Sequence, residues 1–289
     1  MGMLLERSDS RLRIFGVLFG LLLGVCCGGE HDGSMGTYPY DKIQPESWKE
    51  LKAIRDRHGP ITNLDSIYED CTHANGLPYH IYVPKSLLPA HSYPLVVFLH
   101  GQGDLDLGIH NGYPKGFWSL PSIQSAHPHI LFLPRHRTRS DDWTRDDYRQ
   151  MVIEALDDLI TEFNGDPSTP DIDTNRVYLT GFSQGGKGTW NYLKHYPHKF
   201  AAACPLSGFF EGPQNESEAR ALKDIPIWIF NGSDDDGVDG SRTSFQALKA
   251  VGAGDVRYHE YVDHGHVIDD FAYFTDGFTD WLFSQRKDR

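Results

Sequence analysis

This chain of 289 residues has little cysteine, little positive charge and no long apolar run. Only two of its four cysteines, Cys71 and Cys204, lie beyond residue 30, and two are too few for a disulfide framework. Lys and Arg number 27 against 40 Asp and Glu, which gives a formal net charge of −13. That charge argues against nucleic acid and against an anionic membrane surface as partners. A hydrophobic content of 39% still suffices for a globular core.

The most apolar segment lies near the N-terminus, at residues 14–25, and follows three arginines. A basic segment before an apolar run this short is typical of a signal peptide, because a membrane span needs ~20 residues. Residues 23–26 are similar to a bacterial lipobox, although Val25 stands where a smaller residue is usual. We therefore expect an exported protein, either periplasmic, extracellular or anchored as a lipoprotein. Cys26 is the candidate lipidation site and membrane tether, and ordinary cleavage nearby is the alternative.

The rest of the chain shows no internal repeat and no second linker. We expect a signal segment over 1–29, and then a tether with a peripheral N-terminal segment over 30–65. A single domain should follow over 66–289. The 30–65 segment includes a short amphipathic pattern at 47–57, which predicts a helix.

Strand and helix patterns alternate through the domain. This alternation predicts an α/β fold, with a mostly parallel sheet covered by helices on both faces. Ligands of such sheets bind at the carboxyl ends of the strands. The predicted strands are at 77–83, 95–99, 129–134, 177–179, 200–206, 226–230 and 256–262, and the main predicted helices are at 141–163, 187–196, 242–250 and 267–283.

A short strand at 177–179 leads into Gly181-Phe182-Ser183-Gln184-Gly185, which fits G-x-S-x-G. In a nucleophile elbow this pattern forms a sharp turn that exposes the serine Oγ above the sheet. The flanking positions must be narrow, and glycine is the narrowest residue. The alternative is a glycine-rich turn that holds an ordinary serine.

The strand at 95–99 leads into His100-Gly101-Gln102-Gly103. Glycines there let backbone N–H groups approach a ligand closely. We expect an oxyanion hole from the backbone N–H groups of Gln102 and Gln184, and a structural role for His100. A plain strand-to-helix turn is the alternative.

A serine nucleophile needs a base, and the base needs an orienting acid. In this architecture the chain order is Ser, then Asp or Glu, then His. Ser183, Asp235 and His266 follow that order, and the latter two come just after predicted strands. The acid loop also offers Asp234, Asp236 and Asp239, and His264 competes as the base.

With these stretches together, the chain resembles an α/β-hydrolase of the esterase, phospholipase/carboxylesterase and prolyl-oligopeptidase-like group, over about residues 66–286. The resemblance implies Ser183 as nucleophile, His266 (after Gly265) as base, and no cofactor. It favours Asp235 as acid, three residues after Gly232 and three before Val238. One departure is Asn231, where histidine is frequent. The matching stretches are 99–103, 176–190, 200–208, 226–238, 261–266 and 280–282.

Histidine pairs with i, i+2 spacing, at 127/129 and 264/266, were weighed as a metal site. No Cys, Asp or Glu pattern completes a ligand set, so we predict no metal. We predict instead an exported serine hydrolase that cleaves small-molecule or oligomeric carboxylic esters through an acyl-enzyme. The alternatives are a serine peptidase of prolyl-oligopeptidase-like type and a non-catalytic binding protein of the same fold. The sequence does not determine the oligomeric state.

Overall fold

A nine-stranded sheet forms the centre of the computed structural model, which describes residues 38–58, 68–102 and 113–287. The expected signal segment, and Cys26 with it, lie outside the described residues. The strands are β1 (Asp41–Ile43), β2 (Glu69–Thr72), β3 (Pro78–Tyr82), β4 (Ser92–Leu99), β5 (Ile130–Pro134), β6 (Asp171–Phe182), β7 (Ala202–Leu206), β8 (Ile227–Gly232) and β9 (Val256–Tyr261).

The strand order is β1-β9-β8-β7-β6-β4-β5-β3-β2. In this spatial order, each strand from β1 across to β5 is parallel to its neighbour. The last two pairs, β5–β3 and β3–β2, are antiparallel. The carboxyl ends of β4, β6, β7, β8 and β9 therefore meet at one edge of the sheet. This mostly parallel sheet with flanking helices confirms the predicted fold class.

The helices connect the strands across the two faces of the sheet. Among the described residues, no helix combines the length and apolar character that crossing a membrane requires. The helices are α1 (Pro45–His58), α2 (Tyr113–Ser119), α3 (Pro121–Ala126), α4 (Asp146–Gly165), α5 (Gln184–His195), α6 (Glu216–Ala219), α7 (Val238–Ala250) and α8 (Phe278–Ser284), with 3₁₀ turns at Arg220–Leu222 and Ala272–Phe274.

Strand β4 shows why its sequence is a continuous apolar run. Leu95, Val97 and Leu99 belong to one buried cluster, while Val96 and Phe98 belong to a second cluster. Successive side chains of a strand point to opposite faces. Since helices cover both faces, both sets are buried, as in parallel sheets generally.

The N-terminal segment is more closely integrated than its sequence suggested. We expected residues 30–65 to be peripheral, but β1 pairs with β9, and Trp48 of α1 is buried. The Trp48 indole N–H donates to the carbonyl of Val262, 2.8 Å away. The described residues of this segment and of the rest of the chain belong to one compact unit. The described part of the segment therefore packs on the strand that leads toward His266.

The predicted continuous closing helix at 267–283 is wrong, because the chain there forms two separate pieces, a 3₁₀ turn at Ala272–Phe274 and a helix at Phe278–Ser284. Gly277 has φ of +72°, a left-handed conformation that interrupts a right-handed helix. Ile268 and Phe271 are nevertheless fully buried. The apolar residues whose spacing suggested one helix are therefore buried from a series of turns instead.

Candidate active site

Ser183 lies in a sharp turn between β6 and α5, with φ of +57° and ψ of −115°. Its backbone N–H donates to Leu206 at 3.0 Å, which fixes the turn to β7. A Cβ on Gly181 would lie 2.6 Å from the Leu99 carbonyl oxygen, and a Cβ on Gly185 would overlap the same oxygen. The flanking glycines are therefore required by close backbone approach, as a nucleophile elbow demands.

The structure brings Ser183, Asp235 and His266 together in one hydrogen-bonded line. Ser183 Oγ lies 2.8 Å from His266 Nε2, and His266 Nδ1 lies 2.9 Å from Asp235 Oδ2. An ionised carboxylate only accepts hydrogen bonds, so Nδ1 carries the proton and donates to it. Nε2 is then free to accept the serine proton, which is the tautomer that nucleophilic attack requires.

Of the four aspartates in the acid loop, Asp235 is the one that faces His266. It is buried, and it accepts further hydrogen bonds from the side-chain amide of Asn231 and the backbone N–H of Gly237, each at 3.1 Å. Asp234 and Asp236 are exposed. Asp239, also exposed, pairs with Arg242 at 2.8 Å.

Burial by itself would raise the pKa of Asp235. Hydrogen bonds from His266 and from the Gly237 N–H outweigh this effect and hold the pKa of Asp235 below its ordinary value. The carboxylate therefore stays charged beside the imidazole, where it can stabilise the imidazolium that forms on proton transfer.

Asn231 was noted in the sequence only as a departure from a frequent histidine, and the structure gives it a function. Its amide donates to Asp235 Oδ2, while its own oxygen accepts from the Ser241 hydroxyl at 2.9 Å. Asn231 is fully buried. Asn231 therefore places a hydrogen-bond donor on the acid.

The loop that carries His266 is held by neighbours that the sequence did not single out. The Ser207 hydroxyl donates to the backbone carbonyl of His266 at 2.9 Å. The rings of Phe182 and Phe209 each lie 5.0 Å from the imidazole, with interplanar angles of 40° and 42°. Phe182 and Ser207 lie within sequence motifs of the family, at 176–190 and 200–208, but no spacing rule links them to the base.

His264, the rival base, does not contact Ser183 and instead joins this loop to helix α1. Its Nε2 lies 3.0 Å from Lys52 Nζ, and its ring packs edge-on against Trp48 at 4.8 Å. Its Nδ1 lies 3.2 Å from the Gly265 carbonyl. Burial, followed by the nearby Lys52 charge, lowers the pKa of His264 despite the Gly265 contact. A neutral His264 accepts a hydrogen bond from Lys52. This bond connects α1 to the loop that carries His266.

The loop after β4 also approaches the nucleophile, since a Cβ on Gly101 would lie 3.6 Å from Ser183 Cβ. His100 is buried and uses both ring nitrogens: Nδ1 donates to the Gly101 carbonyl at 2.7 Å, and Nε2 accepts from the His136 N–H at 3.1 Å. Gln102 follows in this turn, and Gln184 opens α5. First-turn N–H groups have no partner inside their own helix, so Gln184 offers a donor beside Ser183.

The histidine pairs that were weighed as metal ligands are dispersed. His127 contacts Asp280 at 2.9 Å, whereas the His129 side chain lies beside Gln124. Within residues 38–58, 68–102 and 113–287, no three His, Cys, Asp or Glu side chains are grouped so that they could hold a metal ion.

Comparison with known proteins agrees with this fold. A thermostable esterase of known crystal structure superposes with a TM-score of 0.64 and 29% sequence identity, over 78% of this chain and 70% of the esterase. The sheet order, the elbow turn and this similarity define the class: the protein is an α/β-hydrolase.

Sequence comparison narrows the class. Residues 135–272 match the phospholipase/carboxylesterase family. An acyl-protein thioesterase 1 of Cryptococcus neoformans is 30% identical over 165 residues, which cover 50% of this chain and 67% of the thioesterase. A bifunctional acetylxylan esterase/xylanase of Neocallimastix patriciarum is 31% identical over 165 residues, covering 56% of this chain but 22% of that protein. The chain belongs to the phospholipase/carboxylesterase family, a hydrolytic family, and spans about a fifth of the acetylxylan esterase/xylanase.

Proposed function

We propose that this protein is a serine hydrolase of carboxylic esters, with Ser183 as nucleophile, His266 as base and Asp235 as orienting acid. The observation that carries the proposal is the unbroken line from Asp235 Oδ2 through His266 to Ser183 Oγ, at 2.9 and 2.8 Å. It ends on a serine held in a strained turn with φ of +57°. Such strain persists only where the surrounding structure imposes it.

In the proposed mechanism, His266 Nε2 takes the proton of Ser183 as Oγ attacks the ester carbonyl. The backbone N–H groups of Gln102 and Gln184 stabilise the oxyanion, and removal of one such donor costs roughly 10²–10³ in turnover. His266 then gives its proton to the departing alcohol, which leaves an acyl-enzyme on Ser183. Water, activated by His266, releases the acid and restores the serine. No cofactor is required.

The substrate class follows less directly from the site. The relatives are named for an acetylxylan esterase and for an acyl-protein thioesterase, so oxygen esters and thioesters both belong among the candidates. Amides are a further candidate, because ester and amide acyl transfer use the same groups. We propose a small-molecule or oligomeric ester as the substrate.

Labelling and a substrate panel test this proposal. A fluorophosphonate probe should label the protein at Ser183, and the Ser183→Ala variant should remain unlabelled. The panel contains p-nitrophenyl esters, acetylated xylan, acyl thioesters and peptide amides. Absence of both labelling and ester turnover in folded protein would indicate a non-catalytic binding protein, whereas turnover of the amides alone would indicate a peptidase.

We also propose that the protein is exported, on the basis of the basic segment and the short apolar run that precede Cys26. In a suitable bacterial host the mature protein should lack its N-terminus, and a Cys26→Ser variant should lose membrane association. Intact-mass data that show Met1 retained on cytosolic protein would contradict export. A soluble, unlipidated mature form would contradict only the lipid anchor.

A further inference from the structure

Lys187 occupies a distinctive position beside the candidate site. It lies on α5 four residues after Ser183, which corresponds to about 6 Å along a helix axis. Helical side chains lean toward the N-terminus, so Lys187 leans toward the turn that holds the serine. Its Nζ lies 4.5 Å from the ring centroid of Phe209.

The Lys187 ammonium has no hydrogen-bond acceptor and no carboxylate partner in the part of the chain that the structure describes. Lys194, two turns further along the same helix, instead pairs with Glu211 at 3.1 Å. The chain carries 40 acidic residues against 27 basic ones. Within the described residues, Lys187 therefore lacks a partner beside the nucleophile although the protein is so acidic, and it is open to an anion from outside.

Phe209 connects this cation to the reacting groups, because its other ring contact is the His266 imidazole at 5.0 Å. The following Phe210 and the residue after the base, Val267, are 57% and 58% exposed. Only Leu88 is comparably exposed among the large hydrophobic residues described. Apolar side chains therefore lie next to His266, and the Lys187 cation lies against the Phe209 ring that contacts it.

We propose that Lys187 and Phe209 form a subsite for a carboxylate carried by the ester substrate, an inference that rests on the proposed esterase function. The ammonium would bind the carboxylate, and the Phe209 ring would pack against the apolar atoms between the carboxylate and the ester. Because the Phe209 ring lies between the Lys187 ammonium and His266, at 4.5 and 5.0 Å, a spacer about as long as one ring, roughly four to six bonds, should separate the carboxylate from the scissile carbonyl. It belongs either to the acyl group or to the alcohol.

Two matched pairs of esters separate these sources. The acyl pair is 4-nitrophenyl hydrogen adipate and neutral 4-nitrophenyl heptanoate, and the alcohol pair is 4-acetoxybenzoate and neutral 4-tolyl acetate. The measurement is the ratio of kcat/KM values, anionic over neutral, within each pair. Lys187→Met should lower one of the two ratios by roughly tenfold, mainly through KM, and Lys187→Arg should preserve it. In the wild type, that same ratio should fall as NaCl is raised from 0.02 to 0.5 M, because salt screens exposed charges.

Lys194→Met is the matched control, since it removes a charge from the same helix without touching the proposed subsite. If Lys194→Met lowers the ratio as much as Lys187→Met does, the effect comes from the overall charge of the protein, and the subsite is refuted. Unchanged ratios in Lys187→Met, or in Lys187→Gln should the first variant fold poorly, refute it as well. Failure of the esterase function is distinct, because the neutral esters would then not be hydrolysed and the fluorophosphonate would not label Ser183.

Discussion

The acid and the base of the candidate triad are held in different ways. Asp235 has a side chain only 2% exposed, and apart from His266 its donors at 3.1 Å, Asn231 and Gly237, lie within four residues of it, while the Ser207 side chain also helps to lower its pKa. The His266 side chain is 33% exposed, and its loop is supported by Ser207, Phe209 and, through His264, by Lys52. The acid is thus held mainly by donors close to it in sequence, and the base is held mainly by remote elements.

This difference suits the two roles. The orienting carboxylate stays in one place and one charge state throughout the proposed reaction. The imidazole must pass a proton between Ser183 and the leaving alcohol, so it needs access to the substrate. Its supporting groups contact the ring face and the loop backbone, and so they leave Nε2 to Ser183.

The largest loss of turnover should come from removing Ser183 Oγ, the atom that the acid and the base together serve in the proposed mechanism. Ser183→Ala should lower turnover by roughly 10⁴–10⁶ while the fold persists, because the triad acts as a unit. His266→Ala should lose nearly as much, and the double variant little more. Steady-state kinetics on the best panel ester measure this. An inactive His264→Ala beside an active His266→Ala would reverse the assignment of the base.

The acid side should be sensitive at one position only. Asp235→Asn should reduce turnover by roughly 10³–10⁴, since the amide no longer fixes the tautomer or stabilises the imidazolium. Asp234→Asn and Asp236→Asn should remain within about tenfold of the wild type, because both side chains are exposed. Kinetics of the three variants with one ester test the assignment of the acid. An active Asp235→Asn variant would show that another carboxylate is the acid.

The base side should respond to a residue more than 200 positions away. Lys52→Met removes the contact with His264, and we expect turnover to fall by roughly two- to tenfold with little change in KM, since a charge-assisted hydrogen bond is lost from the base loop. The Lys52→Arg variant should retain most of the turnover that Lys52→Met loses.

Lys49→Met is the control for this comparison. Lys49 also lies over the Trp48 ring, with Nζ 5.5 Å from its centroid, and it is exposed. Equal turnover in the Lys52→Met and Lys49→Met variants would show that α1 does not position the base.

The smallest effect concerns stability at acid pH. The pKa of Asp235 is lowered in the folded protein, so its contribution to the free energy of unfolding is present above the unfolded value of about 4 and is lost as pH falls through the folded pKa. The stability gap between wild type and Asp235→Asn should therefore narrow below about pH 4. Urea unfolding at a series of pH values measures the gap. A gap between wild type and Asp235→Asn that widens as the pH falls would contradict this prediction.

The local side of the site was the part that the sequence could predict. The elbow and the apolar strands are short-range patterns that backbone geometry imposes, and the Gly232-to-Val238 spacing is a short-range pattern that the family resemblance supplied. They indicated the fold class, and they also singled out Ser183 and Asp235, which the structure places in one line with His266.

The remote side could not be predicted, because it depends on pairs brought together only by the folded chain. Nothing in the residues around Lys52 indicates His264, and α1 was expected to be peripheral. The apolar spacing after His266 predicted a helix, whereas Gly277 and the 3₁₀ turn at Ala272–Phe274 bury the same side chains without one. A periodic apolar pattern indicates which residues are buried, but tertiary packing determines the secondary structure in which they are buried.

The backbone of Ser183 has a consequence for the evolution of the protein. A non-glycine residue at φ of +57° in this turn costs about 1–3 kcal/mol, and glycine would adopt the same angles with little strain. The most stable residue at position 183 is therefore one that cannot attack an ester. Selection for thermal stability alone should replace the serine by glycine, and only selection for turnover should restore it, so the identity of residue 183 in an evolving library would report which pressure had acted.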